Sequence, residues 1–401
     1  MQGFLLMNPS SAGWIKKFGS LPLTKTASNK DAVLWYEDMA HWGMVYGIPW
    51  DVPPGLDLPH QPTADERCKV LMIYGFWTSY QWIHPKNNFN QMVHALMEFY
   101  KVLGQDKKTM LGRLGFANDS YSQLETTLES RIFPNPGFVL GALGQSIINI
   151  WLFQDLLAWM AFLEGNNNVL EYRKELELTC FGLLYQLMGS LGVWEKMKPQ
   201  LIHGTQFVAQ ELLLDQELLQ TPISVKDHPP IAARYMVDFC LFAYLTQAKK
   251  PQWSQVNLWG SQTNIDSVYL SERYHGQLKW LENNRGFIDA GWEGLFGVQF
   301  YDRIKEWIQK LILRNSKRLI KELEGSGELL VLLSKSTHKE LDGKERKKVQ
   351  EQLLDIFKSI PSLAIFLLPG GALLLPLVVK LIPKMLPSAF DENRIDKEPN
   401  G

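Results

Sequence analysis

The sequence is poor in cysteine and lacks the short motifs that mark common catalytic and metal sites. Its three cysteines, Cys68, Cys180 and Cys240, are far apart and show no metal-binding or redox spacing. This excludes a disulfide framework and fits a reducing compartment. No G-x-S-x-G, H-E-x-x-H, C-x-x-C, Walker A or EF-hand pattern occurs in the 401 residues. We therefore expect neither catalysis nor a bound cofactor or metal.

An excess of charge of one sign is also missing. The chain has 41 basic and 42 acidic residues and a formal net charge of −1, so no overall field favours DNA as a partner. The mean hydropathy of −0.14 indicates a largely soluble protein in which any membrane segment is local. The N-terminus lacks the basic start and long apolar run of a signal peptide, and it is typical of a bacterial cytoplasmic protein.

Convincing strand patterns and internal repeats are absent as well, and apolar residues recur instead at helical spacing. This predicts an all-α protein: a multi-helix N-terminal region followed by a C-terminal, proline-rich helical segment of membrane type. Polar residues within 138–163 favour a buried helix there over a membrane span. The fourteen scattered tryptophans suggest core anchors. The expected helices before residue 300 cover 30–42, 65–83, 88–103, 109–131, 138–163, 170–194, 198–219, 230–247 and 264–283.

Composition divides the chain into four parts. Residues 1–64 are expected to be irregular with one short helix, because a series of prolines between 49 and 62 prevents its continuation. Residues 65–324 would form the helical domain or domains, and residues 325–393 a separate module that begins at a glycine-rich hinge. The polar residues 394–401 are expected to form a disordered tail.

The segment 301–323 has the clearest amphipathic pattern of the chain and is strongly basic. Such a helix could lie on an anionic membrane surface, touch ribosomal RNA, or simply present an ordinary solvated face, and the sequence leaves these three alternatives open. Its seven basic residues are Arg303, Lys305, Lys310, Arg314, Lys317, Arg318 and Lys321.

A further helix is predicted to begin after Asp342. Asp342 is followed three residues later by Glu345, which is a capping-box pattern. The helix would continue to the Ile360–Pro361 step, and its predicted apolar face consists of Val349, Leu353, Ile356 and Phe357.

An apolar run follows this helix directly. From Ser359 to Val379 there are 21 consecutive residues without a charge, which as one helix would span about 31 Å and match the hydrocarbon core of a bilayer. The alternative is that its glycines turn the chain, giving two short helices buried in the protein or a re-entrant hairpin. The residues that characterise the predicted membrane segment are Pro361, Pro369, Gly370, Gly371, Pro376, Lys380, Pro383 and Pro387.

These features together resemble a known family. A K/R-E-R turn at 344–346, the spaced prolines, Lys380 and a closing P-x-M-L-P-S-x-F-D at 383–391 are similar to the membrane segment of the leucine-zipper/EF-hand transmembrane (LETM) proteins. The resemblance covers about residues 334–393. The Pro-Gly-Gly and LPSAF variants are similar to a bacterial branch of LETM-related, biofilm-associated proteins.

The resemblance implies a membrane-associated role in ion homeostasis or in ribosome docking. Ala372 stands where eukaryotic members carry an acidic residue inside the membrane run. Because ion transport would need such an ionisable group, we expect membrane anchoring rather than transport. The ribosome-binding-like domain, coiled coil and EF-hand that follow in those members are expected to be missing, because only eleven residues follow Phe390.

We therefore predict a membrane-anchored, non-catalytic scaffold in the bacterial inner membrane. Most of the chain would lie on the cytoplasmic side, because the basic residues of 344–358 flank the run. Membrane lipid, the ribosome and a second copy of the chain are the candidate partners. Two alternatives stay open. One is cation/proton exchange or ion homeostasis at the membrane. The other is a soluble, metal-dependent helical enzyme that uses Glu272 with His275 and Asp38 with His41, next to Glu37.

Overall fold

The computed structural model is helical in all the regular elements of its described residues, which confirms the predicted all-α class. The chain divides into two compact units, one holding the described helices up to Asn283 and the other those from Ser316 onward. The structure describes residues 7–21, 31–56, 58, 62, 64–104, 119–132, 151–191, 194–195, 198, 225–248, 250–284, 308–309, 311–313, 315–338, 341–360, 363, 366 and 375–386.

The first unit contains helices whose bounds agree largely with the sequence prediction. The helix predicted over 230–247 has those bounds, whereas the helices Trp14–Gly19 and Trp253–Gln262 were not predicted. Most of the helix expected over 198–219 lies outside the described residues. The helices are α1 Trp14–Gly19, α2 Ala32–His41, α3 Ala64–Ile83, α4 Phe89–Val102, α5 Ser120–Ile132, α6 Phe153–Leu163, α7 Val169–Met188, α8 Pro230–Gln247, α9 Trp253–Gln262 and α10 Ser267–Asn283, with 3-10 turns at Met44–Tyr46 and Val225–Asp227.

The core of the first unit is built around α6, α7 and α8. Helix α7 packs against α6 and α8. Helix α6 also packs against α3, and α8 also packs against α10. Tryptophans serve as core anchors, as predicted: Trp151, Trp159, Trp194 and Trp259 are among the largest fully buried side chains. Such side chains remove large apolar areas from water and dominate core energetics.

A buried ionic network joins α5, α6 and α7 at the centre of this core. Asp155 accepts hydrogen bonds from Arg131 Nε at 2.7 Å and from Arg173 Nε at 3.0 Å, and all three side chains are fully buried. Arg173 also pairs with Glu177 at 2.8 Å. Burial alone would raise the pKa of Asp155, but the two guanidinium groups outweigh burial and lower it. Gln154 and Asp155 of the segment 138–163 therefore have partners in a protein core, as predicted for a buried helix, and residues 138–150 lie outside the described residues.

The second unit contains four described helices: α11 Ser316–Glu324, α12 Gly327–His338, α13 Gly343–Ser359 and α14 Leu375–Met385. Helix α12 packs against the other three, and α11 and α13 also contact each other. The predicted single helix over 301–323 is wrong at Asn315, which forms a turn before α11 begins. The Asn315 side chain is buried and donates from Nδ2 to the carbonyl of Leu311 at 2.8 Å, a local bond that competes with regular helix.

The prediction for α13 is confirmed at both its start and its buried face. Asp342 Oδ1 accepts from the backbone N–H of Glu345 at 2.8 Å, and Glu345 Oε2 accepts from the N–H of Asp342 at 3.1 Å. This reciprocal pair satisfies backbone donors that a helix start leaves free. The four predicted apolar residues, Val349, Leu353, Ile356 and Phe357, are all buried.

Helix α13 does not continue into the apolar run. It ends at Ser359, and Ile360 adopts an extended backbone with φ −120° and ψ 101°. The next residue, Pro361, explains this, because a proline disfavours helical geometry in the residue before it. The helix that ends at Ser359 is therefore not continuous with the run. Most of the run between 361 and 374 lies outside the described residues, and α14 covers Leu375–Met385. Within the described ranges, none of the helices has both the length and the apolar character needed to cross a membrane.

Most of the described apolar residues of the run are buried in the second unit. Helix α14 packs against α12 and buries Leu375, Val378 and Ile382. Pro376 is exposed in the first turn, where its missing N–H leaves no helical hydrogen bond unmade, whereas Pro383 is buried inside the helix. The remaining predicted residues of this segment, Pro361, Pro369, Gly370, Gly371 and Pro387, lie outside the described residues.

Candidate functional site

Two surfaces of the described structure could carry function, and the first is a set of cations on the second unit. Lys317, Arg318 and Lys321 are exposed on α11, and none of them forms an ion pair among the described residues. Lys380 is exposed on α14, opposite its buried face. The other predicted basic residues, Arg303, Lys305, Lys310 and Arg314, lie outside the part of the chain that the structure describes.

The start of α13 adds a denser cluster of cations, formed by Lys344, Arg346, Lys347 and Lys348, all of them exposed. Lys348 pairs with Glu328 of α12, and Lys347 lies 3.9 Å from Glu351. In the described structure, Lys344 and Arg346 form no ion pair. Positive charges at a helix N-terminus oppose the helix dipole, so the stability of α13 does not account for this cluster.

We define the cation surface as the exposed cations of α11 and of the start of α13, namely Lys317, Arg318, Lys321, Lys344, Arg346, Lys347 and Lys348. These side chains are suited to bind phosphates. The helices of this surface bury their apolar sides within the unit and present their charged sides to solvent. Arginine and lysine side chains form charge-assisted hydrogen bonds with phosphate oxygens. Electrostatic binding of anions is the chemistry that these side chains support.

The second surface is a cleft in the first unit, about 470 Å³ in volume. Its apolar floor is formed by Tyr46 and Phe242, whose stacked rings have centroids 4.4 Å apart. Trp50 and Trp280 form a second stacked pair at 4.4 Å along the wall. The charged and polar residues that complete the lining are Glu37, Asp38, His41, Glu272, Arg273 and Gln277.

The position of Trp50 in this cleft depends on a glycine. Gly43 has φ +85°, and a Cβ atom there would lie 2.5 Å from both the Trp50 ring and the Ile48 carbonyl oxygen. Trp50 Nε1 donates to the carbonyl of His41 at 2.7 Å, which fixes the ring against α2. A larger residue at 43 would therefore displace the tryptophan wall as well as strain the backbone.

Arg273, the arginine among the lining residues of the cleft, forms ion pairs with carboxylates. Arg273 forms a bidentate pair with the buried Asp238, with Nε 2.6 Å from Oδ1, and its Nη1 lies 3.1 Å from Glu37 Oε2. Burial acts to lower the pKa of Arg273, but the Asp238 carboxylate outweighs it and raises the pKa. Tyr36 also donates to Asp238 at 2.6 Å. The network joins α2, α8 and α10 and leaves Arg273 committed to protein partners.

The cleft brings together three of the four residues considered for a metal enzyme. Asp38, His41 and Glu272 all line it, next to Glu37. His275, the fourth, has its Nδ1 2.8 Å from the carbonyl oxygen of Ser271, and its ring packs against Trp253. Among the described residues, no group of three or more histidine, cysteine or acidic residues has the geometry to hold a metal ion.

Comparison with known proteins assigns the C-terminal part of the chain. The search of curated proteins and that of solved structures found no match. Residues 341–400, which include α13 and α14, match the family model described as "LETM1-like, RBD", where RBD denotes the ribosome-binding domain. The ribosome-binding domain that we expected to be missing is thus the one this segment matches. The predicted family resemblance is confirmed for this segment: residues 341–400 are similar to the LETM1-like ribosome-binding domain.

Proposed function

We propose that this protein is a non-catalytic LETM-like scaffold whose second unit docks on the ribosome. The observation that carries the proposal is the match of residues 341–400 to the LETM1-like ribosome-binding domain. This family is not a known enzyme class. The docking surface we assign is the cation surface of α11 and α13.

The chemistry of the cation surface supports this choice. Ribosomal RNA presents a dense array of phosphates, and proteins that neutralise phosphates gain affinity by releasing condensed counterions. Lys344 and Arg346 are exposed and form no ion pair in the described structure, so binding a phosphate would break no described ion pair there. The capping box fixes the helix start that holds both residues.

Reversing the charge at the start of α13 is expected to weaken ribosome binding. In the triple variant Lys344→Glu, Arg346→Glu and Lys347→Glu, the affinity for purified bacterial ribosomes should fall by about tenfold or more at moderate salt. The dependence of log affinity on log salt should become shallower by about one for each lost phosphate contact. Sedimentation with ribosomes over a salt series measures both quantities.

The matched control carries the same charge change on the first unit. Lys86, Lys250 and Lys279 are exposed there, and the variant Lys86→Glu, Lys250→Glu and Lys279→Glu should bind nearly as the wild type does. Equal losses of ribosome affinity in the two triple variants would show that net charge alone causes the effect, and would contradict the assigned surface. If the wild-type protein does not sediment with ribosomes, the proposal that it docks on the ribosome is wrong.

We also propose that the scaffold lies at the bacterial inner membrane, with most of the chain on the cytoplasmic side. The support is the absence of charge from Ser359 to Val379 and the basic residues before it. Cation/proton exchange ranks below anchoring, because this run contains no ionisable residue that could carry a proton or bind an ion.

Fractionation tests the membrane proposal. The full chain is expected to stay in the membrane pellet after washing with high salt and with alkaline carbonate, because apolar insertion resists both treatments. Release by salt would show electrostatic adsorption through the cation surface instead. Release by carbonate alone would show peripheral attachment, and both results contradict anchoring by the apolar run.

A further inference from the structure

We infer that the cleft of the first unit is a binding site for a small organic ammonium compound with an aromatic or apolar body. This inference is independent of the ribosome-docking proposal, because the cleft belongs to the other unit and uses none of the cation surface. It rests on the shape of the cleft, the charge of its lining and the placement of its aromatic rings.

The shape fits a small ligand. A volume of about 470 Å³ lies within the range of about 300–1,000 Å³ typical of ligand pockets. The cleft has a buried floor of Tyr46 and Phe242 and half-buried walls of Trp50 and Trp280. A concave apolar body with a few polar groups at its rim is the usual form of such sites.

The net negative charge of the lining favours a positively charged ligand. Three carboxylates, from Glu37, Asp38 and Glu272, and the guanidinium of Arg273 line the cleft, so its formal charge is −2 with His41 neutral. Arg273 is held by Asp238 and Glu37. In the described structure no lysine or arginine forms an ion pair with Asp38 or Glu272. These two carboxylates are therefore available to a positively charged ligand.

The aromatic rings favour an organic cation over a metal ion. Tryptophan and tyrosine faces attract an ammonium group through the ring quadrupole, most strongly where water is excluded. The half-buried rings of Trp50 and Trp280, which line the cleft, also offer apolar contact to the body of a ligand. A metal ion would need several oxygen or nitrogen ligands at short range, and the described residues form no such group.

A pair of isosteric probes tests the inference on the full-length protein. Phenethylamine is an ammonium ion at pH 7, and 2-phenylethanol replaces that group with a neutral hydroxyl. We expect phenethylamine to bind about tenfold more tightly than 2-phenylethanol, since one cation–π contact and one carboxylate contact act on the ammonium group. Isothermal titration calorimetry and saturation-transfer NMR measure the difference.

Gly276 provides a position where added bulk narrows the cleft without a clash at the new Cβ atom. It lines the cleft, and a Cβ atom added there meets no other atom within 4 Å. Gly276→Leu should abolish phenethylamine binding, and its thermal midpoint should not fall, because leucine favours helix more than glycine does. Glu272→Gln should weaken binding about threefold, while the matched change Glu282→Gln, at an exposed position of the same helix, should leave it unchanged.

Three results would overturn the inference. Equal affinity for the two probes would show that apolar contact alone drives binding. Unchanged binding by Gly276→Leu would place the compound elsewhere on the protein. Absence of saturation transfer to phenethylamine at millimolar concentration would show that the cleft does not accept ammonium compounds.

Discussion

Replacing Asp155 with asparagine is expected to lower the free energy of unfolding by about 3–5 kcal/mol, the usual cost of breaking a buried ion pair from one side. The change removes the carboxylate that accepts from Arg131 and Arg173 while both guanidinium groups stay fully buried. Asparagine has nearly the same shape, so the loss reports charge and hydrogen bonding more than packing. Urea unfolding followed by tryptophan fluorescence measures it, because Trp151 and Trp159 flank this residue on the chain.

The matched control is Asp355→Asn in α13. Asp355 is exposed and pairs with Lys358 at 2.6 Å, and its replacement should change stability by less than about 0.5 kcal/mol. A similar loss in both variants would contradict the central role of the buried network.

The effect of Asp155 should also depend on pH in a defined direction. Its pKa is lowered in the folded protein, so its contribution is fully present above the unfolded pKa of about 4. The contribution is lost as pH falls through the lowered folded pKa, because protonation removes the charge. Wild type and variant should therefore differ most near neutral pH and converge in acid.

Local signals explain which helices the sequence predicts. Helix α8 begins at the second proline of the pair Pro229–Pro230, and its bounds were predicted. The capping box of α13 was identified because its two partners lie three residues apart. Helix α9 was not predicted, because no side chain caps its start and Gly260 lies near its end. The turn at Asn315 was also not predicted, because the amphipathic pattern continues across it.

Long-range contacts explain why the cleft could not be predicted. Glu37 and Arg273 are 236 residues apart in sequence, and no periodic pattern links them. The i, i+3 spacing did identify Asp38 with His41 and Glu272 with His275 as pairs. It could not show that Glu272 and Asp38 line the same cleft while His275 packs against Trp253. The family segment was identified from sequence because its prolines and charges recur at fixed positions, which needs no tertiary information.

The other large expected effect concerns the packing of the LETM1-like segment. Leu353→Ala should destabilise the second unit by about 2–5 kcal/mol, the range for a leucine deleted from a tight core. Leu353 is fully buried on the inner face of α13, together with Val349 and Phe357. Hydrogen exchange measured by mass spectrometry should show faster exchange in α12 and α13, with α7 of the first unit unchanged.

The neighbouring leucine supplies the control, since Leu354 is only half-buried and one residue further around the helix. Leu354→Ala should cost about 1 kcal/mol and leave the exchange of α12 nearly unchanged.

If α13 must be folded to present Lys344 and Arg346 to the ribosome, Leu353→Ala should also reduce sedimentation with ribosomes, although it removes no charge. Equal destabilisation by the two variants would contradict the assigned inner face. Unchanged ribosome binding by an unfolded α13 would show that its cations act as an unstructured basic segment.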